Sequence, residues 1–151
     1  MDKEKFLEEV KKMATGSPYY RLLGMEVIEI GGGESRIKMR FKQDLTHPYG
    51  IVHGGAIASL GDSAVAMALI GLGDPRDRIT TIEFKVNFFA PVSKGELEAH
   101  AKIIHRGSKT AVGDVEITNE EGKLVAKVLA TYSIMKDHQT WPMPKTDLRR
   151  E

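Results

Sequence analysis

The chain has 151 residues, of which 41% are hydrophobic and 28% are charged, and its formal net charge is +1. That length suits one domain with a sizeable core, and the balanced charge argues against nucleic acid or an anionic membrane as the main partner. The absence of cysteine excludes disulfides, thiolate catalysis and cysteine-based metal sites. Because the N-terminal residues are charged and lack the apolar stretch of a signal peptide, a cytoplasmic location is expected.

The first third of the chain predicts two helical segments followed by two strands. Apolar side chains fall near one face of a helix over residues 2–14, and residues 19–23 predict a second, short helical segment. Residues 25–30 have the composition of a strand, and three consecutive glycines then predict a turn. Residues 36–42 alternate between apolar and basic side chains, which predicts an antiparallel strand with one buried face.

Residues 54–72 are apolar almost all round and are interrupted only by Ser59, Asp62 and Ser63. One interpretation of such a run is a membrane span. The carboxylate in mid-run, the many small residues and the absence of a second such run in the sequence argue against that interpretation. A helix that is apolar on all sides is instead buried within its own domain, and its small side chains allow a sheet to approach closely.

Four strands are predicted after this helix, over residues 80–89, 96–105, 110–118 and 123–135. The short connections between the last three predict an antiparallel meander. With the earlier elements they predict a single α+β domain over residues 1–136, in which a curved antiparallel sheet wraps around a long buried helix. Residues 137–151 are expected to form a polar, loosely held C-terminal tail.

The start of the long helix, His53-Gly54-Gly55, is the first candidate for chemistry. The first turn of a helix carries backbone N–H groups without intrahelical partners and the positive end of the helix dipole. Glycines leave those N–H groups uncovered, so that this point could bind an anion or polarise a carbonyl oxygen. The alternative is that the glycines only permit a tight turn into the helix.

Asp62 is the second candidate, because a carboxylate in an apolar helix is costly unless it is paired or hydrogen-bonded. The alternative is a structural Asp satisfied by Ser59 or Ser63. Gly54 and Asp62 are eight residues apart, which is about 12 Å of helix rise. One carbonyl group cannot contact both in the same chain. If both act on one substrate, a second helix must run antiparallel beside the first, which requires a two-fold dimer with composite sites.

The run His53-Gly54-Gly55 with Asp62 nine positions after the histidine resembles the hotdog-fold acyl-CoA thioesterase superfamily. Within it, the sequence is most similar to the branch of phenylacetate-pathway and Arthrobacter-type 4-hydroxybenzoyl-CoA thioesterases. The resemblance extends over about residues 22–136. Other segments similar to family elements are 88–92, 104–109 and 119–126.

The resemblance implies a role for each matching residue. The backbone N–H of Gly54 would polarise the thioester carbonyl, and Asp62 of the partner subunit would be the nucleophile or the general base. Thr81 would orient a water or the carboxylate, unless it is an ordinary β-branched strand residue. His47 stands where the family usually has Asn or Gln, so a neutral imidazole would have to replace an amide. His53 is expected to stabilise the turn into the helix through its ring N–H.

Coenzyme A carries phosphates, which need cationic side chains or backbone N–H groups near the mouth of the site. The candidates are Gly55 at the helix start and Lys94, Arg106 and Lys109 in the turns, although each cation could equally be solvated surface charge. No spacing of histidines predicts a metal site, and no cofactor is expected.

The predicted function is hydrolysis of an aryl- or medium-chain acyl-CoA by a homodimer, or a dimer of dimers, with composite active sites. Two alternatives remain open from the sequence. One is a hotdog-fold enoyl-CoA hydratase or dehydratase, in which a histidine and an acid pair across the site. The other is a non-catalytic acyl-CoA-binding protein, against which the presence of Asp62 argues.

Overall fold

The structure is a computed structural model that describes residues 2–136. The tail expected at 137–151 lies outside the described residues. The elements in chain order are α1 (Lys3–Thr15), α2 (Pro18–Leu23), β1 (Met25–Gly31), β2 (Glu34–Arg40), a 3-10 turn (Gln43–Leu45), α3 (Gly54–Leu72), β3 (Asp77–Phe88), β4 (Glu96–Arg106), β5 (Thr110–Thr118) and β6 (Leu124–Lys136).

The six strands form one antiparallel sheet in the order β1-β2-β4-β5-β6-β3. The meander predicted for β4, β5 and β6 is confirmed. Strand β3 does not join its sequence neighbour β4 but pairs with β6, so that β3 is an edge strand. The sheet wraps around α3, which contacts all six strands. The predicted hotdog fold of the α+β class is thereby confirmed.

Strand β2 begins and ends two residues earlier than the alternation predicted. The connection from β1 is a two-residue turn in which Gly32 and Gly33 have φ values of +60° and +83°. Only glycine adopts such values readily, and this turn geometry matches the twist of an antiparallel hairpin. Because the turn uses only two residues, pairing resumes at Glu34, opposite Gly31.

Helix α3 lies against the sheet at glycine contacts. A Cβ on Gly61 would lie 2.6 Å from Cγ2 of Val128, and a Cβ on Gly113 of β5 would lie 2.5 Å from Cγ1 of Val65. These two glycines therefore allow helix and sheet to pack closely. By length and composition α3 could cross a membrane, but 56% of it is buried within the domain, as in a core helix.

One stripe of α3 is not covered by the sheet. Its residues are spaced three and four apart, so they share one side of the helix, and all are half-buried. They are Ala58, Ser59, Asp62, Ser63, Ala66 and Ile70. The stripe lies between α2, whose Tyr19 hydroxyl contacts Ser59 Oγ at 2.7 Å, and edge strand β3, which contacts Asp62 through Thr81.

Candidate active site

The loop before α3 is held by backbone hydrogen bonds. Val52 N–H donates to the Val92 carbonyl at 2.8 Å, and His53 N–H donates to the Leu45 carbonyl at 2.7 Å. Thr46 and Val52 also form an isolated antiparallel bridge. These contacts fix where the chain enters α3, and therefore where the first N–H groups of the helix point.

His53 is the N-cap of α3, and its Nδ1 accepts the N–H of Gly55 at 2.8 Å. This corrects the expectation that the ring N–H would stabilise the turn, because the ring nitrogen in contact with the backbone accepts a hydrogen bond. Gly55 N–H is thus occupied and does not point at a ligand. Gly54 N–H has no acceptor among residues 2–136. The cap leaves one free donor at the first residue of the helix.

The ring of Phe88, at the end of β3, lies over Gly54. A Cβ at position 54 would be 3.0 Å from Phe88 Cζ, so glycine lets the ring approach the helix start. Phe88 is 51% exposed. The free N–H therefore lies beside an aromatic surface that is open on one side, an environment suited to an apolar group attached to a carbonyl.

Asp62 lies in the half-buried stripe of α3 and is held by two hydroxyl groups. Thr81 Oγ1 donates to Asp62 Oδ1 at 2.8 Å, and the Tyr132 hydroxyl lies 2.5 Å from the same oxygen. Asp62 Oδ2 has no hydrogen-bond donor within residues 2–136. The sequence had suggested Ser59 or Ser63 as the structural partner, but Ser59 Oγ donates to the Gly55 carbonyl, and the Ser63 hydroxyl bonds Tyr20.

Two buried tyrosines surround this carboxylate. Burial, and secondarily the charge of Asp62, raises the pKa of Tyr20 to about 12, although its hydrogen bond with Ser63 opposes the rise. Burial followed by the hydrogen bond to Asp62 raises the pKa of Tyr132 further above its ordinary value. Both phenols are therefore protonated across the working pH range, and Tyr132 faces the carboxylate as a donor.

His47 lies in the loop before α3 and is half-buried. Its Nδ1 accepts the N–H of Tyr49 at 3.1 Å, and its ring packs edge-on against the Tyr49 ring at 5.4 Å between centroids. Nδ1 is therefore engaged within the loop, and a substrate would meet the ring through Nε2. The structure gives His47 no direct contact with Asp62 or Gly54 of the same chain.

The expected coenzyme A cations lie at opposite ends of the domain. Exposed Lys94 follows Val92, which bonds the loop before α3. Arg106 ends β4, and Lys109 follows in the turn at the other end of the sheet. An 11-residue strand separates the two ends, which is about 33 Å at roughly 3.3 Å per residue. One helix start in one chain therefore cannot be flanked by all three cations.

Arg106 is also engaged within the chain. Its guanidinium donates to Asp77 Oδ2 at 2.8 Å, and Lys136 Nζ bonds the other carboxylate oxygen. Burial disfavours the charged form of Asp77, but Lys136 and Arg106 together hold its pKa below the ordinary value. This arrangement ties β3, β4 and β6 together at one end of the sheet, so Arg106 has a structural partner already.

A cleft of about 250 Å³ opens beside the helix start, on the α2 side. Apolar and hydroxyl side chains line most of it, together with one carboxylate. The lining residues are Tyr19, Leu23, Asp44, Leu45, Thr46, His53, Gly55, Ala56 and Ser59. Among residues 2–136, no three histidine, aspartate or glutamate side chains converge in a way that would hold a metal ion.

A buried helix inside a curved sheet, a free N–H at its start and a hydroxyl-bound carboxylate two turns later together describe a thioesterase-type hotdog domain. Residues 49–126 match the family model of the thioesterase superfamily. The chain belongs to this superfamily, and it is a thioester hydrolase.

Relatives and solved structures agree with this assignment. A Saccharolobus solfataricus protein named as an esterase is 30% identical over 89% of this chain and 94% of its own length. The medium/long-chain acyl-CoA thioesterase YigI of Escherichia coli K12 is 27% identical over 78% of this chain and 85% of its own. A mutant of the phenylacetic acid degradation protein PaaI from Thermus thermophilus is 29% identical. Its structure has a TM-score of 0.71 and covers 78% of this chain and 98% of its own.

Sequence reasoning did not identify Tyr132. The residue lies within strand β6 with no motif around it and is 70 positions from Asp62. The signal in the sequence is a tyrosine among the otherwise aliphatic inward positions of this strand, because a buried phenol needs a polar partner for its hydroxyl.

Proposed function

We propose that this thioester hydrolase acts on acyl-CoA substrates, with Gly54 N–H and Asp62 Oδ2 as the groups that meet the thioester. The observation that carries the proposal is that both groups lack partners in the described part of the chain, while the adjacent Gly55 N–H and Asp62 Oδ1 are bonded. A free donor at a helix start suits an oxygen that gains negative charge, and a free carboxylate oxygen suits a base or a nucleophile.

The reaction follows from these two groups. The thioester oxygen accepts the hydrogen bond of Gly54 N–H, and the carbonyl carbon becomes more electrophilic. Asp62 Oδ2 either takes a proton from a water that attacks this carbon or attacks the carbon itself to give an anhydride that water then opens. The C–S bond breaks, and the sulfur leaves with the bonding electron pair and receives a proton. The dipole of α3 stabilises the oxyanion throughout.

The site we propose is composite. Gly54 and Asp62 lie in one straight helix, about 12 Å apart along its axis, so each thioester would meet Gly54 of one chain and Asp62 of another. Edge strand β3 offers the surface for such a pairing. Among residues 2–136 no second strand pairs with its other side. Phe84 and Phe88, which lie opposite the buried Ala130 and Ala126, face inward yet are about half exposed. An exposed strand edge is a template for pairing with another chain, and the two half-exposed phenylalanines would be covered by such pairing.

The acyl group we propose is an aryl or a medium-length chain. Phe88 beside Gly54 and the cleft between α2 and α3 supply apolar walls of modest size. One relative is named for medium and long acyl chains and one similar structure for phenylacetic acid degradation. The acyl groups that these two names indicate are compatible with the apolar side chains around Gly54.

The first experiment measures thiol release from a panel of aryl- and alkyl-CoA esters. Asp62→Asn keeps the shape of the side chain and removes its charge, so kcat should fall by about 10²–10⁴. Asp114→Asn is the matched control, because Asp114 lies on the outer face of the sheet in an ion pair with Lys127. An Asp62→Asn protein that releases thiol at the wild-type rate would refute the proposal. Hydration of an enoyl-CoA without thiol release would favour a hydratase instead.

The second experiment tests the composite site with mixed dimers. Chains carrying Gly54→Pro and chains carrying Asp62→Asn are co-expressed with different tags, and the species with both tags is isolated. Two-fold symmetry places both lesions in one site and leaves the other intact. About half of the wild-type activity should return. If verified mixed dimers stay as inactive as either parent, each site is built from one chain.

A further inference from the structure

Tyr132 lies on β6 and points inward, with 3% of its surface exposed. Its hydroxyl is 2.5 Å from Asp62 Oδ1 and 2.8 Å from the Asp62 backbone carbonyl oxygen. On β3, Thr81 is the direct partner of Tyr132 in the strand register. Directly opposed residues of an antiparallel pair place their side chains on the same face. The register therefore aims two hydroxyls at one carboxylate oxygen.

A bulge follows this pair. The register between β3 and β6 shifts between Thr81 and Glu83, which leaves Ile82 without a partner. Beyond the bulge, Glu83 pairs with Thr131, and the Thr131 hydroxyl donates to Glu83 at 2.6 Å on the outer face. A bulge re-aims the side chains beside it. The Thr81–Asp62 contact before the bulge faces α3, whereas the Thr131–Glu83 contact after it lies on the outer face of the sheet.

The two hydroxyls make the two carboxylate oxygens of Asp62 unequal, because both hydroxyls contact Oδ1. Tyr132 is a protonated phenol whose raised pKa, caused first by burial and then by Asp62, keeps its proton in place. Thr81 Oγ1 donates at 2.8 Å. With both on Oδ1, rotation of the carboxylate would break two charge-assisted hydrogen bonds at once. Oδ2 keeps its lone pairs free of donors from residues 2–136.

We propose that Tyr132 is a positioning residue of the thioesterase site, which together with Thr81 holds Asp62 Oδ1 so that Oδ2 alone meets the substrate or its water. This inference rests on the proposed function, because it assumes that Asp62 reacts. It extends that function by assigning separate roles to the two carboxylate oxygens and by adding a residue from the last strand of the sheet.

The test is Tyr132→Phe, which removes one hydroxyl and keeps the ring. A lost hydrogen bond to a charged group should lower kcat about 10–100-fold, with KM within about twofold because the substrate does not touch Tyr132. The split between kcat and KM is the deciding readout, because a general loss of structure would raise KM as well as lower kcat. Thr131→Val is the matched control, since it removes a hydroxyl–carboxylate bond from the same strand on the outer face.

The results of these variants distinguish failure of this inference from failure of the proposed function. Activity retained by Asp62→Asn would refute the function itself. Loss in Asp62→Asn with a wild-type kcat in Tyr132→Phe would overturn only the positioning role. A KM that rises together with the fall in kcat, or an equal effect in Thr131→Val, would show a structural role and overturn it as well.

A second pair of variants covers the case in which Tyr132→Phe does not fold. Thr81→Val removes the other donor to Oδ1, and Thr81→Ser restores it. The Val variant should show the same loss of kcat at an unchanged KM, and the Ser variant should recover kcat. Equal kinetics in the two variants would overturn the inference.

Discussion

Gly54→Pro deletes the N–H that the mechanism needs while leaving the start of α3 able to form. Proline is favoured at the first position of a helix, where its missing N–H costs no intrahelical bond. His53 already has φ −61° and ψ 134°, which is the region that a residue before proline prefers. Gly54 N–H has no acceptor among residues 2–136. The substitution therefore breaks no hydrogen bond of the described fold.

The expected effects on stability and on catalysis differ in size. Proline in place of glycine restricts the unfolded chain and stabilises by about 0.4–1 kcal/mol. The contact of the new side chain with Phe88 Cζ, at 3.0 Å from the position of Cβ, offsets part of this gain, and the half-exposed ring can move aside. Loss of one oxyanion donor costs about 2.7–4 kcal/mol in the transition state, or about 10²–10³ in kcat.

Gly54→Ala is the control, because it adds the same Cβ against Phe88 and keeps the N–H. Both variants are compared by thiol release for kcat and KM, and by thermal unfolding for stability. Alanine should lose activity only through the displaced ring, and proline should lose about 10²-fold more. Equal kcat/KM in the proline and alanine variants, both folded, would refute the assignment of Gly54 N–H to the thioester oxygen.

Three further predictions concern a loop histidine, a buried ion pair and a packing contact. His47→Asn should keep most of the activity and His47→Ala should lose it, since an amide can replace the hydrogen bond of the ring; equal kcat in the two variants would make His47 a bystander. The lowered pKa of Asp77 stabilises the fold above the pKa of the unfolded carboxyl, about 3.9, and this stability is lost as the pH falls through the folded value. Asp77→Asn should therefore be less stable at pH 7 and respond less to acid, as measured by urea unfolding at several pH values; parallel curves for variant and wild type would contradict this. Gly113→Ala should lower the free energy of unfolding by about 1–3 kcal/mol, because the new methyl would lie 2.5 Å from Val65 Cγ1; an unchanged denaturant midpoint would show that the contact relaxes freely.

Within residues 2–136 the sequence predicted each α-helix and strand close to its observed bounds, and the long helix to the residue, but not the short 3-10 turn at Gln43–Leu45. The reason is that the spacing of apolar side chains and the residue types that form turns depend on only a few neighbouring residues. Alternating side chains identify a half-buried strand, and two adjacent glycines permit a two-residue turn, whatever the rest of the chain does. The motif from His53 to Asp62 is also local, so both ends of the proposed chemistry were visible in the sequence.

Which groups complete the site was decided by the tertiary structure alone. Strand β3 could have paired with β4, its neighbour in sequence, but lies beside β6. Strand partners are selected by how a whole sheet covers α3, and no short segment carries that information. The pairing of β3 with β6 places Thr81 opposite Tyr132, and so brings both hydroxyls to Asp62.

The direction of individual hydrogen bonds was likewise beyond the sequence. His53 could be identified as the residue before the helix, but that its Nδ1 accepts from Gly55 rather than donating depends on where the loop holds the ring. That choice leaves Gly54 N–H as the free donor. Local patterns thus determined the elements and the reactive residue types, while long-range packing decided which of their atoms are occupied and which remain free to react, because only the folded core fixes distances of a few ångströms between distant residues.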